Sequence, residues 1–186
     1  MTWTRDTYQL PEDHRWRAAP GRKIVVLNGG AVMFECPAGW SVTPGTPQTD
    51  IRDGATPELS TCTLAVSCLQ LPPADWTALP LSRLLRETID AADEDRIAEG
   101  PVVDAGRDDL ELVWTELRVV DPCEHREARS RMALARGRGV QCLMTLAFWP
   151  EDAVRWGPVW NGALASLRLG VRIDDPLLGP EAADEG

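Results

Sequence analysis

Histidine and lysine are scarce in this chain, and each shortage removes a class of function. Only His14 and His125 are histidine among 186 residues, so a histidine metal cage or a histidine-based triad has little material. Lys23 is the single lysine among 19 basic residues, against 29 acidic ones, and the formal net charge is -10. That balance opposes general affinity for nucleic acid and for anionic membrane surfaces, which reward clustered cations. The near-exclusive use of arginine reads as composition bias. Nowhere does the chain offer the ~18 uninterrupted apolar residues of a membrane helix, and its first residues, MTWTRDTYQLPEDHRWR, hold no apolar signal core. The phosphate-cradling GxxxxGKS/T, a strand-linked GxGxxG and the nucleophile-elbow GxSxG are all missing. No cofactor is expected.

What is present reads as one α+β domain. The five cysteines, Cys36, Cys62, Cys68, Cys123 and Cys142, are odd in number and widely spaced, and all but Cys123 fall in apolar strand-like runs. They suit free thiols in a reducing, cytoplasmic setting, with Cys123 the reactive one. Residues 1–23 mix Trp3, Tyr8 and Trp16 with charges and form an irregular arm. Residues 24–27 and 31–36 flank Asn28-Gly29-Gly30 and predict a hairpin, followed by the bend Pro37-Ala38-Gly39-Trp40 and a short strand at 40–43. Residues 44–60 read as loop, and 61–71 as a strand with Cys62, Leu64, Val66 and Cys68 on one face.

From Pro80 a helical period takes over, with Leu81, Leu84, Leu85, Thr88, Ile89 and Ala92 at offsets of three and four. Residues 110–120 predict a strand. Residues 126–136 and 140–149 predict a long hairpin around Gly137-Arg138-Gly139, with Ala128, Ser130, Met132 and Leu134 inward and Arg129 and Arg131 outward. A last helix opens at Pro150, is expected to kink at Pro158, and runs to about Leu169. Residues 171–186 read as an acidic tail, disordered over its last ten residues. Strands, a helix, hairpins and a second helix predict an antiparallel sheet with two helices packed against it.

Three groups are candidates for chemistry or binding. Cys123 and His125 lie two residues apart and offer a thiol and a base, or half of a zinc site that lacks its other ligands. Asp90, Asp93, Glu94, Asp95 and Glu99 form an acidic group without the glycine-bearing loop of a calcium hand, and read as a solvated face. The third group is basic: Arg126, Arg129, Arg131, Arg136 and Arg138 stand against Glu124 and Glu127. This ribbon can meet an acidic partner, or pair with the chain's own stretch 87–111, where ten carboxylates face Arg96 and Arg107. Among eight tryptophans, Trp40, Trp114 and Trp160 sit in periodic apolar settings and are expected in the core. Trp3, Trp16 and Trp76 lie in irregular segments and are candidates for a binding surface.

Four places carry a family resemblance. They are the strand and bend VMFECPAGW (32–40); the strand 64–71 leading to the helix 81–92; the hairpin ending at 143–148; and a last helix ending Ala165-Ser166-Leu167-Arg168. Over about residues 24–170 the chain resembles the PsbP-like superfamily, in particular its bacterial DcrB-like branch. The resemblance implies an antiparallel sheet flanked by helices and a largely non-enzymatic binding role. Its members include photosystem extrinsic subunits, a Ran-binding import factor and small chaperones of type VI secretion effectors. This chain lacks the signal or lipoprotein segment of the exported members, which makes the cytoplasmic, chaperone-like members nearest in role.

The sequence therefore predicts a protein-binding module without a membrane anchor, an adaptor or secretion-effector chaperone, open to homo-oligomerisation. Arg129, Arg131, Arg136, Arg138, Trp3, Trp16 and Trp76 are its expected partner-binding residues. A small enzyme using Cys123 and His125 or the acidic group is one alternative. A structural subunit of an assembly is another.

Overall fold

Two antiparallel sheets and two helices organise the chain in a computed structural model that describes residues 8–76, 78–91 and 96–180. In chain order the elements are β1 (Arg22–Leu27), β2 (Val32–Pro37), β3 (Ser41–Thr43), β4 (Thr49–Arg52), β5 (Cys62–Gln70), α1 (Leu81–Ala91), β6 (Arg96–Glu99) and β7 (Val103–Asp104). β8 (Glu111–Val120), β9 (Glu127–Gly137), β10 (Val140–Phe148), α2 (Ala153–Ser166) and β11 (Arg168–Leu169) complete it. The large sheet has the order β3-β4-β5-β10-β9-β8-β6, with β7 also on β8, and the small one has the order β1-β2-β11. The expected α+β fold with an antiparallel sheet and two helices is what forms.

Alternation along the long strands builds two cores, one on each face of the large sheet. Cys62, Leu64 and Val66 of β5, Cys142, Met144 and Leu146 of β10, and Ala133 and Ala135 of β9 point to α2 and the small sheet, where Phe34, Trp156 and Trp160 meet them. The other face of β8 and β9, with Val113, Leu117, Met132 and Leu134, takes Leu81, Leu85 and Ile89 of α1. These three helix residues share one face at offsets of four, and burying each fully is worth about 1.5–3 kcal/mol. Two edge-to-face tryptophan pairs seat α2. Trp40 meets Trp156 at 5.5 Å and Trp114 meets Trp160 at 6.0 Å between ring centroids.

Local chemistry fixes the joints. Asn28, Gly29 and Gly30 all take positive φ in the β1–β2 turn, and a Cβ on Gly30 would fall 2.1 Å from the Val171 carbonyl oxygen. Only glycine permits that approach, which lets Val171 donate its N–H to Gly30 at 2.8 Å. The Asp53 carboxylate accepts the Thr61 and Cys62 N–H groups at 2.9 Å and closes the loop into β5. Because β11 is only two residues long, Ser166 takes over its pairing role: its hydroxyl oxygen accepts the Glu35 N–H at 2.9 Å. At the end of α2 the Arg107 guanidinium donates to the Leu167 carbonyl and to the Leu164 carbonyl, which also accepts the Leu167 N–H at 3.3 Å.

Several local expectations need correction. Residues 49–52, read as loop, form β4 against β5, and β6 and β7 add edge pairing to β8. A single helix runs through Pro158 and ends at Ser166, short of Leu169. The carbonyl that loses its bond to Pro158 belongs to Val154, which is 91% exposed, so water can satisfy it. The tail is ordered as far as Pro180: Asp175 turns the chain by accepting from Leu178 and Gly179, and Gly179 is buried against Trp16. Among the described residues no helix is long and apolar enough to cross a membrane.

Candidate docking site on the arm face

The arginine hairpin is occupied from within. Glu116 of β8 lies across from Arg131 of β9 and accepts from Arg131 Nε at 2.8 Å and from Arg129 Nη1 at 3.0 Å. The Arg131 side chain is 13% exposed and its guanidinium stands 5.6 and 5.4 Å from the Trp114 and Phe148 ring centroids. Arg136, 5% exposed, makes a two-pronged bond to Glu111 at 3.0 and 2.6 Å and donates to the Leu79 carbonyl at 3.2 Å. Alternation does separate Arg129 and Arg131 from Met132 and Leu134, but both faces of this sheet are covered. The arginine pair lies on the α2 side, not on open surface. Of their carboxylate partners Glu111 belongs to the stretch 87–111 and Glu116 lies beyond it. Arg138 is exposed at the tip with φ 48°, and Arg126 stacks 3.6 Å over Trp149 while reaching Glu151 at 3.1 Å.

The chemical candidates are not drawn together. Cys123 is exposed in a turn closed by Asp121, whose carboxylate accepts the Cys123 and Glu124 N–H groups at 2.9 and 2.7 Å. His125 holds φ 51° in the same turn, and no hydrogen bond joins it to Cys123. Asp90 and Glu99 both pair with Arg96, at 3.1 and 3.2 Å, and Asp93, Glu94 and Asp95 lie outside the described residues. Among the described residues no three His, Cys, Asp or Glu side chains cluster as a metal site. Burial pushes the Cys62 and Cys142 thiols far above the ordinary range, and Cys36 upward as well. Cys68, expected among the inert thiols, is only half-buried and accepts from the Asn28 amide at 3.1 Å.

Trp16 sits at a site of another kind. Residues 8–20 carry no regular structure and cross the outer face of the small sheet, which presents Ile24, Val26, Met33 and Glu35. The arm is clasped by the tail. Arg15 donates its N–H to Leu178 at 2.7 Å, and the Trp16 indole N–H reaches the Pro176 carbonyl at 2.9 Å. Gly179, at φ 92°, lies flat on the Trp16 ring, where a Cβ would come within 3.1 Å. Trp76 is half-buried and bonded to the Pro72 carbonyl at 3.1 Å, and Trp3 lies outside the described residues.

Two depressions share Trp16 and Ile24. On one side Leu10, His14, Ala18 and Val26 complete an apolar notch of about 440 Å³, in which the buried His14 Nδ1 has no hydrogen-bond partner among the described residues. On the other, Arg15, Arg17, Met33, Glu35 and Arg168 help line a cleft of about 330 Å³. Exposed Tyr8 and Leu10 extend the apolar side. Trp16 was legible as a candidate, and its neighbours Arg15 and Arg17 stood beside it in the sequence as Arg-Trp-Arg. Arg168 had no local signal, because β11 alone carries it to this face beside Met33.

Residues 23–173 match the family described as Alr1449. The uncharacterised protein alr1449 of Nostoc sp. is 40% identical over 180 residues, covering 96% of this chain and 93% of its own. Among solved structures, cyanobacterial PsbP (CyanoP) from Synechocystis sp. is similar with TM-score 0.58 and 14% identity, over 82% of this chain and 94% of its own. The Saccharomyces cerevisiae Ran-binding protein Mog1p follows at 0.56 and 10%, over 85% and 98%. LpqN of Mycobacterium tuberculosis, involved in cell envelope biogenesis, stands at 0.52 and 9%, over 80% and 90%. At these identities the solved structures speak for the fold alone, which is the PsbP-like one expected from the sequence. The match across nearly the whole domain and the 40% relative decide the family: this chain belongs to the Alr1449 family.

Proposed function

We propose that the chain is a non-enzymatic protein-binding module whose partner docks on the arm face, around Trp16. The observation that supports this is the contiguous apolar notch and arginine-bearing cleft on either side of one tryptophan. An aromatic anchor flanked by guanidinium groups is the composition that dominates binding energy at protein interfaces. The finer version is a cytoplasmic adaptor or secretion-effector chaperone of the DcrB-like kind, acting alone or as a homo-oligomer. The hairpin that the sequence favoured becomes a structural element in this reading, because Arg126, Arg129, Arg131 and Arg136 already hold carboxylates, leaving Arg138 alone at the exposed tip without one among the described residues.

Affinity purification from the native cell tests the proposal with three versions of the chain: wild type, Leu10→Asp combined with Arg17→Glu, and Arg138→Glu at the hairpin tip. The same partner should come with wild type and Arg138→Glu and be lost from the arm-face variant, all three melting alike. Retention of the partner by the arm-face variant would refute the site. Turnover of a small molecule that disappears on Cys123→Ser would refute the non-enzymatic reading.

A further inference from the structure

We infer that the cleft beside Trp16 is a carboxylate site, and that the docked segment is an extended acidic peptide carrying one apolar side chain next to its carboxylates. This rests on the protein-binding reading and names the chemistry of its partner. Acidic groups outnumber basic ones by 29 to 19, so carboxylates are plentiful around this chain's arginines. Ten of the 17 described arginines have one within ion-pair distance and seven have none among the described residues, three of which gather at one place. Arg15, Arg17 and Arg168 have none among the described residues, yet they come from two distant parts of the chain to line one cleft.

Their side-chain bonds are to backbone oxygens or absent. Arg17 reaches the His14 and Trp16 carbonyls at 2.9 and 2.8 Å, Arg15 the Gly179 carbonyl at 3.2 Å, and Arg168 is exposed with no partner among the described residues. Glu35, the one carboxylate of the lining, accepts the Ala19 N–H at 3.1 Å and enters no ion pair among the described residues. Three guanidinium groups held on fixed backbone thus present forked donors that no described carboxylate occupies, and a carboxylate matches that geometry two bonds at a time. The adjoining notch, walled by Leu10, Ala18, Ile24 and Val26, supplies a place for an apolar side chain within the span of the same short segment. A free anion would fill the cleft and leave the notch empty.

Fluorescence anisotropy on the full chain tests this with a fluorescein-labelled peptide in which one leucine follows three glutamates. Two control peptides carry serine for the leucine or lysine for the glutamates. The first should bind with an affinity that weakens as NaCl rises from about 50 to about 300 mM. The serine peptide should bind about tenfold or more weakly, the fold-change for leaving a leucine side chain unburied, and the lysine peptide not at all. Arg17→Glu with Arg168→Glu should abolish binding, while Arg129→Gln should leave it unchanged.

Equal affinity of the leucine and serine peptides, or full competition by inorganic phosphate at the ionic strength of the assay, would overturn the inference in favour of a simple anion site. Unaltered binding to the Arg17→Glu, Arg168→Glu variant would overturn it outright. If no peptide binds but the native partner is still lost from the Leu10→Asp, Arg17→Glu variant, the carboxylate inference fails and the docking reading stands. If the peptide binds as described and the native partner is retained by the arm-face variant, the docking reading fails instead.

Discussion

Replacing Glu111 by alanine should cost more stability than replacing Arg136 by methionine, although both remove the same ion pair. The asymmetry follows from burial: the Arg136 side chain is 5% exposed and that of Glu111 is 54% exposed. Without Arg136, the Glu111 carboxylate turns to water and recovers most of its hydration. A methionine keeps an apolar stem at the position, so about 1 kcal/mol or less should be lost. Without Glu111, a buried guanidinium keeps only the Leu79 carbonyl at 3.2 Å. Stranding one member of a fully buried pair costs about 3–5 kcal/mol, and because solvent reaches this one from the Glu111 side, about 2 kcal/mol is expected. Urea unfolding of both variants and of the double variant, followed by circular dichroism, reads the difference directly. The double variant should recover part of the Glu111→Ala loss, since no charge is then left in the interior. An Arg136→Met variant at least as unstable as Glu111→Ala would refute the reasoning.

Three further outcomes are expected. Leu85→Ala should lose about 2–5 kcal/mol in the same assay, because Leu85 is fully buried on the inner face of α1 and its truncation leaves a cavity against β8 and β9; a loss below about 1 kcal/mol would mean that α1 is loosely seated. Stability should fall above pH ~8.5, since unfolded Cys62 and Cys142 ionise there while burial keeps the folded thiols protonated. Each raised pKa stabilises the folded chain fully below the unfolded value and loses about 1 kcal/mol between pH ~8.5 and ~9.5, about 2 kcal/mol together, so Cys62→Ala and Cys142→Ala must each flatten the slope measured under reducing conditions. With a thiol reagent, Cys123 should label first and Cys68 second, and Cys36, Cys62 and Cys142 only as fast as the chain opens; rapid labelling of Cys142 would contradict its place between β5 and β9.

Elements whose own residues carry the signal were legible in the sequence, and elements that borrow their stability were not. The alternation of β5 and the fourfold spacing of Leu81, Leu85 and Ile89 each state a buried face locally. By contrast β4, β6 and β7 are four, four and two residues long, with few apolar side chains, and exist because a longer neighbour offers its ladder. Pro158 misled because the cost of a proline depends on where the freed carbonyl points, which sequence does not show. The site repeats the pattern. Trp16 and its flanking arginines were visible in the chain, but alternation also advertised Arg129 and Arg131, since it distinguishes two faces without telling which one meets water. Arg168 joins Arg15 and Arg17 only through the pairing of β11 with β2, a contact between residues far apart in sequence.

The paired indoles give the protein a built-in optical reporter. Both pairs have one member on α2, with ring planes inclined at 79° for Trp40–Trp156 and 69° for Trp114–Trp160. Crossed chromophores held at 5.5 and 6.0 Å couple their electronic transitions and yield a signed near-ultraviolet dichroism that vanishes when the rings separate. Trp16 and Trp76 lie outside both pairs, so ligands at the arm should change fluorescence intensity and leave that dichroism intact, whereas detachment of α2 would erase it. Helix seating and arm occupancy can thus be followed in one cuvette, on separate channels, without adding a dye.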